Sequence, residues 1–193
     1  MYNIVVFASG NGSTLQSIID AIKSKDLEAH IPLVVSNNPK AFALKRAKKA
    51  KIPTYVIKEK EPDKIDAELA GVLSKIDINL IVLAGYLKLI GPKLLDKYTI
   101  INTHPALLPK YGGKGMYGMN VHRAVIEAKE EYSGVTVHYV TAEYDRGLTL
   151  MQTRVKVMPN DTAEDLAARV QAAEKIQLVE LLKSFAQEHN SKH

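Results

Sequence analysis

An asparagine and a histidine two residues apart, Asn102 and His104, close the apolar run in INTHPALLP (residues 101–109), and Pro105 follows at once. An amide donor beside an imidazole suits acyl transfer. The amide N–H steadies an oxygen on which negative charge develops, and the imidazole moves a proton at neutral pH. If residues 101–104 form a regular strand, both side chains project from the same face. A third polar group, Asp145 in EYDRGLTL, sits just before Arg146 and Gly147, where a carboxylate could orient an imidazole and make it more basic. Spacing alone does not pair Asp145 with His104. A strand-end histidine also serves structural roles, and Asp near Gly is ordinary turn chemistry.

His138, on the alternating stretch GVTVHYV, and His122, in NVHR, are weaker candidates. Neither has a recognised metal-ligand spacing with His104, and the chain contains no cysteine, so no catalytic metal is expected. Near the start, SGNGST (residues 9–14) falls between an apparent strand and helix. There, unpaired backbone N–H groups and the positive end of a helix dipole favour an anion. Gly10 and Gly12 permit a tight turn, and Ser13 and Thr14 add hydroxyl donors; an ordinary strand-to-helix turn fits the same residues. No third glycine completes a dinucleotide fingerprint, no lysine completes a nucleoside-triphosphate loop, and the second strand ends Ser36, Asn37, Asn38 with no acid for a ribose. A phosphomonoester is the expected anion.

The elements that must hold these groups follow from hydrophobic period. Short β-branched runs (NIVVFA, IPLVVS, TYVI, NLIVLAG, TIINTH) alternate with amphipathic segments (TLQSIIDAIKSK, AFALKRAKKA, DKIDAELAGVLSKI, a shorter stretch around GPKLLDKY). That alternation predicts right-handed βαβ units and a mostly parallel, Rossmann-like sheet flanked by helices. His104 would then lie at the carboxyl end of a central strand, where open α/β sheets bind ligands. After the glycine-rich YGGKGMYGMN come a helix at VHRAVIEAK and two longer strands, GVTVHYVTAE and LTLMQTRVKV, which either extend the sheet or form a hairpin beside it. A C-terminal helix starts at DTAED, where Thr162 and Asp165 have capping-box spacing. With 193 residues, 46% of them hydrophobic and 24% charged, and no internal repeat or linker, residues 1–193 are expected to form a single domain.

The net charge of +5 is compatible with any anionic partner. Many of the lysines crowd residues 39–51, where Ala41, Leu44 and Ala47 at helical spacing predict an inward face and Lys45, Arg46, Lys48 and Lys49 a solvated one. The N-terminus lacks a secretory signal, and no stretch of eighteen apolar residues occurs. A cytoplasmic protein with no membrane role is expected; the charge does not choose between nucleic acid and a phosphorylated metabolite.

The chain resembles the phosphoribosylglycinamide formyltransferase (GAR transformylase) family of folate-dependent formyltransferases. IVVFASGNGSTLQ, VVSN, LAGYLKLI, INTHPALLPKY, GVTVHYV, the DRG turn with LMQTRVKV, and DTAEDLAARVQAAE occur in the family's order. The resemblance implies small-molecule substrates and no nucleic-acid role, with 10-formyltetrahydrofolate as co-substrate, glycinamide ribonucleotide as acceptor, and no metal. It places Asn102, His104 and Asp145 on catalytic positions, and Gly12, Ser13 and Thr14 on the phosphate loop. Glu174 falls on an acidic position that meets the acceptor. Leu87, Lys88, Leu89 and Ile90, together with Asn102, fall on contacts to the folate. Ala106 and Lys88 stand where the family commonly has Ser and Arg. Pro62 aligns near its basic contact to the folate's glutamate tail, leaving Lys60 or Lys64 to substitute. The alternative within this chemistry is formyl transfer to an amino sugar nucleotide. Related enzymes acting on initiator tRNA or hydrolysing formyltetrahydrofolate carry additional domains, and a monomer or homodimer is expected. A nonenzymatic phosphoribosyl sensor is the reading from outside the enzyme class.

Overall fold

The computed structural model describes residues 1–192. Its strands and helices run β1 (Tyr2–Phe7), α1 (Ser13–Lys23), β2 (Ala29–His30), β3 (Val34–Ser36), α2 (Phe42–Lys49), β4 (Thr54–Val56), α3 (Pro62–Leu73), β5 (Leu80–Leu83), α4 (Pro92–Leu95), β6 (Ile100–His104), α5 (Met119–Glu127), β7 (Tyr132–Tyr139), β8 (Thr149–Lys156) and α6 (Ala163–Ser191). One sheet has the order β4-β3-β1-β5-β6-β7-β8, with β2 beside the start of β1. The strands from β4 to β6 are parallel, whereas β7 and β8 run antiparallel. The two late strands therefore extend the sheet.

The predicted strand IPLVVS is shorter than expected. Pro32 has no N–H for the ladder, and the partner of β1 is split into β2 and β3 on either side of residues 31–33. Elsewhere β1 shows why the parallel half is continuous apolar sequence: both of its faces are covered. Ile4 and Val6 pack with Leu15 and Ile18 of α1 and Leu178 and Leu182 of α6, while Val5 and Phe7 pack with Leu69 and Leu73 of α3 and Leu94 of α4. Fully burying each such side chain contributes roughly 1.5–3 kcal/mol. A third cluster, Val125, Val135, Val155, Leu166 and Val170, packs α5 and α6 against the antiparallel strands.

The long α6 begins with the expected reciprocal cap. Thr162 Oγ1 accepts from the Asp165 amide at 3.1 Å, and the Asp165 carboxylate accepts from the Thr162 amide at 3.0 Å. The chain leaves β1 for β3 on one side and returns through β5 on the other. The carboxyl ends of β1, β5 and β6 thus open at a topological switch point, where such sheets leave a crevice.

Candidate active site

The loop after β1 is built by backbone geometry. Gly12 caps α1 with φ 74°, and a Cβ there would lie 2.6 Å from Ala43 Cβ; both facts require glycine. No side chain caps α1 and its first turn holds no acid, so the amides of Ser13 and Thr14 stay available to an anion. Ser9 ties three loops together: its hydroxyl donates to Asn37 Oδ1 at 2.6 Å and accepts from the Leu87 amide at 3.0 Å. Asn37, where a dinucleotide fold would present an acid, here serves the loop. The basic helix α2 buries Ala41, Leu44 and Ala47 as expected, but Arg46 departs from the solvated face assigned to it. Its guanidinium donates to the Asn11 carbonyl at 2.9 Å, Asn11 Oδ1 at 2.8 Å and Gln16 Oε1 at 3.2 Å, clamping the glycine loop.

Strand alternation divides the end of β6. Asn102 and His104 turn toward Asp145: His104 Nδ1 lies 3.5 Å from Asp145 Oδ2, and Asn102 Nδ2 lies 3.5 Å from Asp145 Oδ1. Thr103, between them, donates instead to Glu174 Oε1 at 2.6 Å, and the same oxygen accepts from Thr14 Oγ1 at 3.1 Å. One carboxylate oxygen of α6 thereby links the start of α1 to the carboxyl end of β6.

His138 lies opposite Asn102 in the β6–β7 register and joins the cluster. Its Nδ1 is 2.8 Å from the Tyr139 carbonyl, so it carries the ring proton there. Its Nε2 accepts from Asn102 Nδ2 at 3.2 Å and sits 3.4 Å from Asp145 Oδ1. Asp145 adopts φ 56°, the left-handed conformation that Asp tolerates better than most residues, and its Oδ2 accepts from the Gly113 amide at 2.8 Å. Gly147 permits the turn to close, because a Cβ there would meet the Tyr139 carbonyl oxygen at 1.6 Å.

His104 is 4% exposed, and its Nε2 lies 2.7 Å from the Tyr111 carbonyl. Both ring nitrogens face acceptors, and a neutral ring has a proton for only one of them. Burial pushes the imidazolium below its ordinary pKa against the opposing pull of Asp145 and the Tyr111 carbonyl, leaving the ring neutral near pH 7. Burial also raises the Asp145 carboxyl, but the His138 and His104 rings, each in its protonated form, and the Gly113 amide together hold it below its ordinary value. Burial raises Glu174, with the Thr103 and Thr14 hydroxyls opposing.

Beside this cluster opens a cleft lined by Leu83, Tyr86, Leu89, Ile90, Val140 and Tyr144, with Asn102, His138 and Asp145 along it. Apolar walls with a few polar groups along one edge are the usual lining of a small-molecule site. The Tyr86 hydroxyl is buried there without a hydrogen-bond partner. Of the four residues expected here, Lys88, Leu89 and Ile90 line the cleft, while Leu87 is 49% exposed and contributes its amide to Ser9. Lys60 and Lys64 are exposed and do not line it; Lys64 pairs with Glu61 at 3.1 Å. His122 is buried in α5 with Nδ1 unpartnered; burial and the nearby His104 charge lower its pKa.

Sequence reasoning gave Thr103 and Tyr111 no role and placed His138 behind His104; the structure brings all three to the site. A polar residue inside an otherwise apolar central strand marks Thr103, and strand alternation marks His138. Nothing local marks Tyr111, which acts through its backbone carbonyl.

The polar cluster and the cleft lie together at the switch point of the sheet, where open α/β folds bind small molecules. The chain belongs to the formyl transferase family, which matches residues 2–182. It is 40% identical over 179 residues to a phosphoribosylglycinamide formyltransferase from Haemophilus influenzae, covering 90% of this chain and 82% of that one. It is 39% identical to the chloroplastic phosphoribosylglycinamide formyltransferase of Arabidopsis thaliana over 96% of this chain. The chain spans 65% of that relative's length and 61% of its Vigna unguiculata counterpart's. Among solved structures, the phosphoribosylglycinamide formyltransferase from Coxiella burnetii, in complex with CHES, superposes with TM-score 0.89 at 41% identity, over 97% of this chain and 88% of that one. Glycinamide ribonucleotide transformylase 1 from Symbiobacterium toebii superposes with TM-score 0.90 at 32% identity, over 97% and 89%. Among the described residues no helix is long and apolar enough to cross a membrane.

Proposed function

We propose that the protein is a single-domain, cytoplasmic enzyme that transfers a formyl group from 10-formyltetrahydrofolate to the amine of glycinamide ribonucleotide. The observation that carries this reading is the double use of Glu174 Oε1. It is bound by Thr14 at the phosphate loop and by Thr103 between Asn102 and His104, so phosphate recognition and chemistry share one carboxylate. The relatives' names point to the same acceptor.

In this reading the Ser13 and Thr14 amides and the α1 dipole hold the acceptor's phosphate, and Glu174 receives its amine end. The cleft beside Tyr86, Leu89 and Ile90 holds the folate's ring and directs the formyl carbon at Asn102 and His104. The amine nitrogen forms a bond to that carbon, the bond from the carbon to the folate nitrogen breaks, and one proton passes from the amine to that nitrogen. Asn102 Nδ2, now shared between His138 and Asp145, donates to the formyl oxygen as it becomes negative. His104, between two acceptors, takes up positive charge as that oxygen develops and relays the proton; Asp145 stabilises the charged ring. Holding both substrates in line supplies a further share of the rate.

The test is purified protein with glycinamide ribonucleotide and 10-formyltetrahydrofolate, following deformylated folate. Turnover is expected, with His104→Ala lowering kcat by about 10²–10⁴-fold while the phosphate-bearing acceptor still binds. A folded protein with no turnover, or a His104→Ala variant as active as the parent, overturns the reading.

A further inference from the structure

Two backbone groups of one short turn grip the polar cluster. The Tyr111 carbonyl lies 2.7 Å from His104 Nε2, and two residues on, the Gly113 amide donates to Asp145 Oδ2 at 2.8 Å. The turn comes close because residue 112 is glycine: a Cβ there would stand 2.5 Å from Leu108 Cδ2 and 3.2 Å from Asp145 Cβ. Tyr111 itself has φ 57°, a conformation an unrestrained tyrosine avoids.

The Tyr111 ring packs against the third cluster, and its hydroxyl is held by Glu130, in the connection between α5 and β7. Glu130 Oε1 accepts from the Tyr111 hydroxyl at 2.9 Å and from Lys110 Nζ at 2.8 Å. Glu130 touches none of the groups assigned to the chemistry.

A carbonyl oxygen only accepts, so the contact at His104 Nε2 places the ring proton on Nε2 and leaves Nδ1 bare toward Asp145. The other neutral tautomer would point its proton at Asp145 and its lone pair at Tyr111. The position of one carbonyl therefore selects between the two forms. We propose that Glu130 is a positioning residue for formyl transfer: by anchoring Tyr111 it keeps the backbone carbonyl on His104 Nε2, and so sets which nitrogen of the imidazole carries the proton. The proposal rests on the transferase reading for its kinetic consequence, but not for the tautomer itself.

The experiment uses the whole protein labelled with ¹⁵N-histidine, with long-range ¹H–¹⁵N spectra recorded at about pH 8, above the ordinary imidazole range, and His104 assigned by its loss in His104→Asn. The parent is expected to show His104 protonated on Nε2. Glu130→Ala and Tyr111→Phe are expected to move the proton largely to Nδ1, while Glu130→Gln, which keeps an oxygen for the Tyr111 hydroxyl, restores the parent pattern. In the formyl-transfer assay, kcat is expected to fall about tenfold in the first two variants, with both KM values within about twofold of the parent. Should Glu130→Ala fold poorly, Tyr111→Phe, which removes a single oxygen, carries the same test. An unchanged tautomer in the folded variants overturns the proposal, as does a tautomer switch with kcat unaltered or a loss confined to KM. A parent that shows the Nε2–H form and the switch but transfers no formyl group overturns the transferase reading and this residue's kinetic role with it, and leaves Glu130 as the anchor of the tautomer alone.

Discussion

Thr103 and Glu174, separated by 71 positions, meet in a 2.6 Å hydrogen bond that fixes the middle of α6 against the end of β6. The bond places an acid where burial raises its pKa, so the folded protein holds that proton more tightly than the unfolded chain does. The stability this contributes is fully present below the ordinary Glu value of 4.5 and is lost as pH rises through the raised value. Glu174→Gln keeps an oxygen for both threonines and removes the buried charge. Thermal melts should therefore show the variant gaining roughly 2–4 °C at pH 8, with the gain shrinking toward pH 5. The KM for an amine acceptor should rise about tenfold or more, because a hydrogen bond to a charged group is lost.

Asp145→Asn should separate orientation from charge. The amide retains an oxygen for the Gly113 N–H but loses the negative charge that supports a protonated His104, so kcat should drop about a hundredfold or more. His104 already titrates below its ordinary 6.5 because of burial, and Asp145 opposes that shift. Removing the carboxylate should move the acid limb of kcat/KM to still lower pH, measured as a full pH–rate profile. An acid limb that moves upward would contradict the assigned contact.

At the glycine loop, Gly12→Ala combines a left-handed backbone with a Cβ placed 2.6 Å from Ala43. The loop must shift, and a loss of roughly 1–3 kcal/mol is expected by denaturant titration. In the proposed reading the KM for the phosphate-bearing acceptor should rise with it, while the KM for the folate donor, assigned to the cleft beside Tyr86, should stay near the parent value.

The capping box at Thr162 offers a control remote from the chemistry. Thr162→Ala removes one of two reciprocal bonds at the start of α6 and should cost about 1 kcal/mol. Calorimetry should show the lower melting temperature with kcat unchanged.

How far these features could be read in advance depends on the range of the interaction. The parallel half was legible because each strand is buried on both faces and each helix shows its own period. The side-chain directions of Asn102 and His104 followed from a period of two, and the Thr162–Asp165 cap from a spacing of three. The pairing of Asp145 with His104 was not legible, since it depends on how residues 140–148 turn back from β7. Whether the late strands joined the sheet was equally open, because either outcome buries the apolar face of GVTVHYV. Arg46 looked like one of several solvated cations; its tie to Asn11 exists only once β1 and β3 lie side by side. Tyr111 could not be found by residue type at all, because the group that meets His104 is common to every residue.

The reversal of strand direction after β6 has a consequence for how such a protein can change. The parallel side supplies the glycine loop, and the antiparallel pair brings His138 and the Asp145 turn; β6 is the seam on which they meet. In the proposed reading the donor cleft straddles that seam, with Leu83, Tyr86, Leu89 and Ile90 from one side and Val140, Tyr144 and Asp145 from the other, whereas the acceptor's phosphate is met by the loop after β1 alone. A lineage could exchange one acceptor for another by rewriting the loop after β1 and the facing turn of α6, while the donor pocket passes down unaltered. Grafting that loop and that turn of α6 from one such protein into another is the laboratory version of that exchange.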